Sequence, residues 1–232
     1  MRRVGVLTGL AAEARIVQAA AAGLALPPLL ACAGSDSGRA RREAERLVAE
    51  GAGALISFGL AGGLNSRLRP GDLIFADRVI LPGGRVVETD SDWRSRLLEL
   101  TGRHGLPVEV GAIAGSGRVL ASAAQKRELA ERTGGAAVDM ESHAVAGVAD
   151  AARLPVLAIR AVADTAEQTL PRAALIAVGA DGSPKLIAIV KELCLSPWDG
   201  PALWRLRRGA AAALAKLGCL IRLAGPALFT VG

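Results

Sequence analysis

The 232-residue chain has no tyrosine, three phenylalanines and three tryptophans, so aromatics make up 3% of it while hydrophobic residues make up 51%. A core of that kind is built from Ala, Val, Leu and Ile, the composition of parallel strands covered by helices on both faces. The same scarcity argues against nucleic acid. The formal charge of +6 and isoelectric point near 10.0 come without rings interleaved among the basic residues, so the stacking platforms of single-strand binders are missing. Cysteine is sparse too: Cys32, Cys194 and Cys219 are odd in number and far apart, and they indicate neither a disulfide framework nor a zinc site. His104 and His143 are the only histidines, neither has a matched nucleophile, and there is no H-E-x-x-H, so no metal is expected. The opening "MRRVGVLTGLAAEARIV" imitates a signal peptide until Glu13 and Arg15 interrupt it, and no later apolar run is long enough to span a bilayer. A cytoplasmic protein is expected.

What is present is an alternation of strand and helix patterns up to about residue 170, an α/β arrangement. "RVGVLTGL", "PPLLACAG", "GALISFG", "DLIFADRVIL", "VEVGAIAGS", "AAVDM" and "PVLAIRAVAD" read as strands. The segments between them read as helices, and the last strand is expected to enter another helix at "TAEQ". Without a linker or repeat, residues 1–172 form one domain and 173–232 a C-terminal helical extension. Ligands of such sheets bind at the carboxyl ends of the strands. The residues there are Glu13, Gly59 to Gly63, Met140 with Glu141, and Arg160 to Asp164.

Each has two readings. The glycines of "SFGLAGGL" form a tight turn or let a ligand approach the backbone. Glu141 is an acid in the first turn of a helix or an acceptor for two neighbouring hydroxyls of a ribose. Met140 is core filler or a wall for the sugar. Asp139 alternates away from Met140 and is assigned to helix capping. Asp164 and Glu167 resemble a capping box, yet Arg160, Val162 and Asp164 share a strand face by alternation. A buried Arg160 requires an anion opposite, which Glu141 or a bound phosphate would supply.

"GLAAEA", "SFGLAGGL", "VDMESHAVA" and "IRAVADTAE", in this order over residues 4–170, resemble the purine nucleoside phosphorylase and methylthioadenosine/S-adenosylhomocysteine nucleosidase superfamily. The tail "LPRAALIAVGADGSPKLIAIVKEL" is most similar to the hopanoid-associated phosphorylases, which act on adenosylhopane. The resemblance implies a three-layer α/β fold with a central mixed, mostly parallel sheet. It also implies cleavage of the N-glycosidic bond of a 5′-modified adenine nucleoside or nucleoside-lipid, no cofactor, and a homo-oligomer. Asp164 would protonate N7 of the purine with Arg160 beside it, and Glu13 would orient water. Glu141 and Met140 would hold the ribose. Val119, Leu120, Gly62 and Leu60 would line the nucleoside pocket.

Phosphorylases of this kind carry an arginine and a Ser or Thr in the glycine-rich loop, where this chain has Ser57 and Leu60. Inorganic phosphate as a co-substrate would therefore depend on Thr8 and Gly9, or on Arg39 and Arg41 at a helix start. Read as a helix, residues 203–223 place Leu203, Leu206, Ala210, Ala213, Leu217 and Leu220 on one side, away from Arg205, Arg208 and Lys216. Two uses of that apolar side stay open: resting on an anionic inner membrane, or packing on the domain or a second subunit.

Overall fold

A computed structural model describes residues 3–34, 36–175, 182, 183, 185 and 196–231. Residues 176–181, 184 and 186–195, Cys194 among them, lie outside the described residues. The elements are β1 (Arg3–Thr8), α1 (Ala11–Ala21), β2 (Leu29–Cys32), α2 (Ser37–Ala49), β3 (Ala52–Gly63), β4 (Leu73–Ile80), β5 (Val86–Glu88) and α3 (Ser91–Arg103). After them come β6 (Val108–Gly115), α4 (Ala123–Thr133), β7 (Ala137–Asp139), α5 (Ser142–Ala151), β8 (Val156–Asp164), α6 (Arg172–Leu175) and α7 (Gly200–Ala224). Two helix starts illustrate side-chain capping: Asp90 accepts from Trp93 N at 2.8 Å on α3, and Ser122 with Gln125 forms a capping box on α4.

The sheet is mixed and flanked by helices, the α/β class expected from the composition. β1 lies parallel to β2 and β3, and β3 parallel to β8. The β3–β8–β4–β6–β7 strands then close on themselves, because β8 pairs antiparallel with β4, β4 and β7 each pair with β6, and β7 returns antiparallel to β3. The sheet is therefore partly a closed ring rather than an open doubly wound one. β8, at the centre, is buried at every position. Apart from Arg160 and the terminal Asp164 its sequence is apolar, as a strand covered on both faces requires.

Three local expectations are corrected. The glycine-rich "LAGG" is the end of strand β3 and not a tight turn, since Gly62 and Gly63 pair with Val138 and Ala137. "TAEQ" is a turn and not a helix start. The short β5, which the sequence pattern did not reveal, completes a hairpin with β4.

Helix α7 begins the stretch Gly200–Phe229, long and apolar enough by composition to cross a bilayer, with mean hydropathy 1.5. Its apolar side is occupied within the protein: Ala213, Leu217, Leu220, Ile221 and Ala224 belong to one buried cluster with Val17, Phe58, Trp93 and Ile159. A Cβ at Gly209 would lie 2.0 Å from the carbonyl oxygen of Ala163, so only glycine lets the helix approach β8 this closely. From Ala213 to Ala224 the apolar side is therefore covered by the protein itself.

Candidate active site

Arg160 is 1% exposed on β8. Its Nε donates to Asp139 Oδ2 at 2.8 Å, and Nη2 donates to the same oxygen, to Ser57 Oγ at 2.6 Å and to Ser142 Oγ at 3.0 Å. Glu141 Oε2 lies farther off, 3.8 Å from Nη2. The acid facing Arg160 is thus chiefly Asp139, which also accepts from Ser142 N at 2.9 Å and so caps α5 at the same time. Burial works against the guanidinium charge, and Asp139, Glu141 and Glu13 more than offset it, raising the Arg160 pKa.

Two more carboxylates sit against glycines. Glu13 Oε2 accepts from Gly9 N at 2.9 Å and Leu10 N at 2.8 Å, while Oε1 accepts from Leu60 N at 2.8 Å. This one side chain ties the end of β1 to the end of β3. A Cβ at Gly59 would lie 2.7 Å from the Glu13 carboxyl, and one at Gly9 would lie 2.8 Å from Glu141 Oε1, so both glycines make room for acids. Burial raises the pKa of Glu13, with Arg160 and the three amide donors opposing it. Burial, reinforced by Asp139, pushes Glu141 from 4.5 up to about 8 despite Arg160. Glu141 therefore holds its proton to higher pH than an ordinary carboxylic acid does.

Beside this layer is a cavity of about 340 Å³ whose walls include Leu60, Gly62, Val119, Leu120, Met140, Glu141, Asp164 and Lys126. The volume is at the small end of the range for ligand sites. A larger hollow, about 890 Å³, lies between the β4–β5 hairpin and α4 and shares Arg118 and Leu120 with it. Its charged lining consists of groups such as Glu128 and Arg132, which are exposed, and none of the buried acids. The chemistry is in the smaller one.

Asp164 closes one end of the cavity. Its Oδ2 accepts from Lys126 Nζ, which also donates to Thr165 O at 2.7 Å and Gln168 O at 2.9 Å. Lys126 is 1% exposed and arrives from α4. Burial raises the Asp164 pKa, and Lys126 opposes the rise through its charge and hydrogen bond. The β3–β8 register slips between Ala61 and Gly62, so that Gly62 pairs with Asp164 and Ala163 is the extra residue. This bulge breaks the alternation that would have put Arg160 and Asp164 on one face. Asp164 and Ala163 line the cavity, whereas Arg160 lies beneath it.

The structure thus brings together Asp164, Glu141, Met140, Val119, Leu120, Gly62 and Leu60 on one cavity, with Arg160 and Glu13 one layer behind. Of the phosphate donors considered from sequence, Gly9 lies beside Glu13 and Glu141, and none of the four lines this cavity. Thr8 is fully buried and its hydroxyl donates to Ala31 O at 3.3 Å. Gly9 N is held by Glu13. Arg41 faces solvent and pairs with Glu45, and the α2 N-terminus is closed by Asp36, which accepts from Arg39 N at 2.6 Å. Sequence reasoning missed Lys126 and the Ser57 and Ser142 hydroxyls, and it made Asp139 a simple cap. A signal for Lys126 existed, since it lies three residues before buried Leu129 on the inner stripe of α4. Among the described residues no group of His, Cys, Asp and Glu is placed to hold a metal.

Comparison with known proteins bears on the fold and the family. An aminodeoxyfutalosine nucleosidase of Campylobacter jejuni is 29% identical over 132 residues, which is 50% of this chain and 58% of that protein's length. A Neisseria meningitidis 5′-methylthioadenosine/S-adenosylhomocysteine nucleosidase, solved with methylthio-immucillin-A, superposes with a TM-score of 0.74 at 18% identity, over 96% of this chain and 98% of its own. The futalosine hydrolase of Helicobacter pylori does so with 0.68 at 15% identity, over 95% and 97%. At those identities the two structures speak for the fold. The family model of the phosphorylase superfamily matches residues 21–194, most of the chain, and the chain belongs to that superfamily.

Proposed function

We propose that the protein cleaves the N-glycosidic bond of an adenine nucleoside with a large apolar 5′ substituent, of the adenosylhopane kind, and releases adenine. The observation that carries this reading is that Asp164 and Glu141, delivered by β8 and the end of β7, line one nucleoside-sized cavity with Met140 between strand and helix. Breaking C1′–N9 sends the bonding pair to the purine and leaves positive charge on the sugar. Asp164, its pKa raised by burial, supplies the proton that neutralises the base at N7. Glu141 takes the vicinal hydroxyls, Met140 packs on the ribose, and Val119 and Leu120 face the purine. No cofactor takes part in these steps.

Water is the acceptor that the charges favour. The Arg160 guanidinium is already engaged by Asp139, so it is not the uncommitted cation that a phosphate dianion would need. A carboxylate has about four acceptor positions. Glu13 uses three of them on main-chain amides, leaving one on Oε1 for a water. The small cavity has room for the nucleoside and not for a polycyclic tail as well, so a large 5′ group would leave through its mouth.

Adenine release is measured from a long-chain 5′-alkyl adenosine, from methylthioadenosine and from aminodeoxyfutalosine, with and without phosphate, and the sugar product is weighed by mass spectrometry. The proposal expects fastest turnover of the long-chain nucleoside, independent of phosphate, giving the free sugar. Turnover of methylthioadenosine alone would remove the substrate class. A sugar 1-phosphate would replace water by phosphate. Nucleoside binding without adenine release would make the protein a non-catalytic binder.

A further inference from the structure

The side of α7 opposite the core is a surface of its own. Trp204 is 57% exposed and the Arg208 guanidinium lies over its ring, 4.7 Å from the centroid. Arg205 and Arg207 flank this pair, and Lys216 and Arg222 continue the exposed side down the helix. Among the described residues none of these five cations is in an ion pair, and residues 200–232 contain no Asp or Glu. One turn before the helix, Trp198 is 84% exposed, while Trp93, the remaining tryptophan, is fully buried. Single exposed apolar residues are ordinary. Two of three tryptophans within seven residues, at the head of an all-basic helix face, are not scattered singles.

We propose that this face docks the protein on an anionic lipid bilayer, with Trp198 and Trp204 entering at headgroup depth and the arginines meeting lipid phosphates. Indole rings prefer that depth, and a basic helix face is drawn to anionic headgroups. The helix lies along the membrane, since its apolar side is filled by the protein core. Charge decides between occupants. In a two-fold contact with a second copy the same patch would meet itself, cation against cation. A single-stranded nucleic acid needs a groove that tracks its backbone, and this surface is one convex helix.

The docking end is joined to the rim of the cavity. Arg172 N donates to Asp199 Oδ2 at 3.2 Å, and Leu170 and Ala174, on either side of Arg172, line the cavity. Gly209 backs directly onto Ala163, which also lines it. On the proposed function, a lipid tail emerging from the site would meet the bilayer at this edge; the docking itself does not depend on that reading.

The full-length protein is sedimented with phosphatidylcholine vesicles, with and without phosphatidylglycerol, and tryptophan quenching by brominated acyl chains is recorded. Binding is expected only with phosphatidylglycerol, and it should weaken as salt is raised. Replacing Arg205, Arg207 and Arg208 together by Gln should lower the partition coefficient about 100-fold, from about 1 kcal/mol for each cation near the surface. The double variant Trp198→Ser, Trp204→Ser should abolish quenching. All these side chains are exposed, so the folded state is retained and is verified by circular dichroism. Absence of binding to anionic vesicles overturns the proposal, as does binding that the substitutions leave intact. Tighter binding to a single-stranded oligonucleotide than to vesicles would assign the face to nucleic acid. Loss of a dimer in the tryptophan variant without any vesicle binding would assign it to a second copy.

Discussion

Replacing Lys126 by Met removes the ammonium beside Asp164 while nearly preserving side-chain volume. The ammonium has three acceptors, Asp164 Oδ2, Thr165 O and Gln168 O, all in a region where it is 1% exposed. Removing one partner of a buried ion pair costs about 3–5 kcal/mol when the other stays charged. Asp164 can instead take a proton. An adjacent opposite charge lowers a carboxyl pKa by about 1–3 units, equivalent to about 1.4–4 kcal/mol, and the variant loses that opposition to burial. The sign follows from the direction of the shift. Asp164 in the folded protein already lies above its ordinary 3.8, so its contribution to stability is complete below that value and is lost as pH rises through the folded pKa. In Lys126→Met the folded pKa climbs further, so the loss of stability grows toward neutral pH and shrinks on acidification. In the rate profile, the protonated acid persists to higher pH. The alkaline limb of kcat/KM for adenine release should move up by about 1–3 units. Its plateau should fall about 100-fold because the carboxyl is no longer held in place. Lys126→Arg should recover the position of the limb only in part. An unmoved limb, or a stability deficit that is the same at every pH, would refute the reasoning.

Three further outcomes are expected. Asp164→Asn should lower kcat for adenine release by about 100- to 10,000-fold, the span of general acid catalysis, and should also lower the melting temperature, because the buried Lys126 ammonium loses its carboxylate. Gly59→Ala places a Cβ 2.7 Å from the Glu13 carboxyl and should cost about 1–3 kcal/mol by urea denaturation, because Glu13 must give up Leu60 N. Glu141, raised from 4.5 to about 8, stabilises the fold below 4.5 and loses that contribution as pH rises through about 8. Glu141→Gln should therefore flatten the fall of melting temperature across this window, measured against the wild type by scanning calorimetry.

The strands were legible because a strand covered on both faces is mostly apolar, as in "VLAIRAVAD", which is buried throughout and has Arg160 as its one polar residue before the end. Ligand-facing positions were legible for the same reason: the polar residues Glu141 and Asp164 stand where such runs end, and both reach the cavity. "LAGG" read as a tight turn because glycine is a poor strand former, whereas here it is paired and makes way for acids. The pairing of Arg160 with Asp139 required knowing that β7 lies against β3, a long-range choice that no local pattern encodes. Lys126 looked like one cation in the polar run "QKRE" until α4 was set against the turn after β8.

By itself, then, the sequence determined the fold class, the strand ends and the acids that stand on them, because burial and periodicity are local demands on residue type. The tertiary structure alone decided which charges answer one another, on which face of a bulged strand Asp164 emerges, and which side of α7 stays free. Each of these depends on which segments meet, and contacts between distant segments leave only faint marks on the residues that make them.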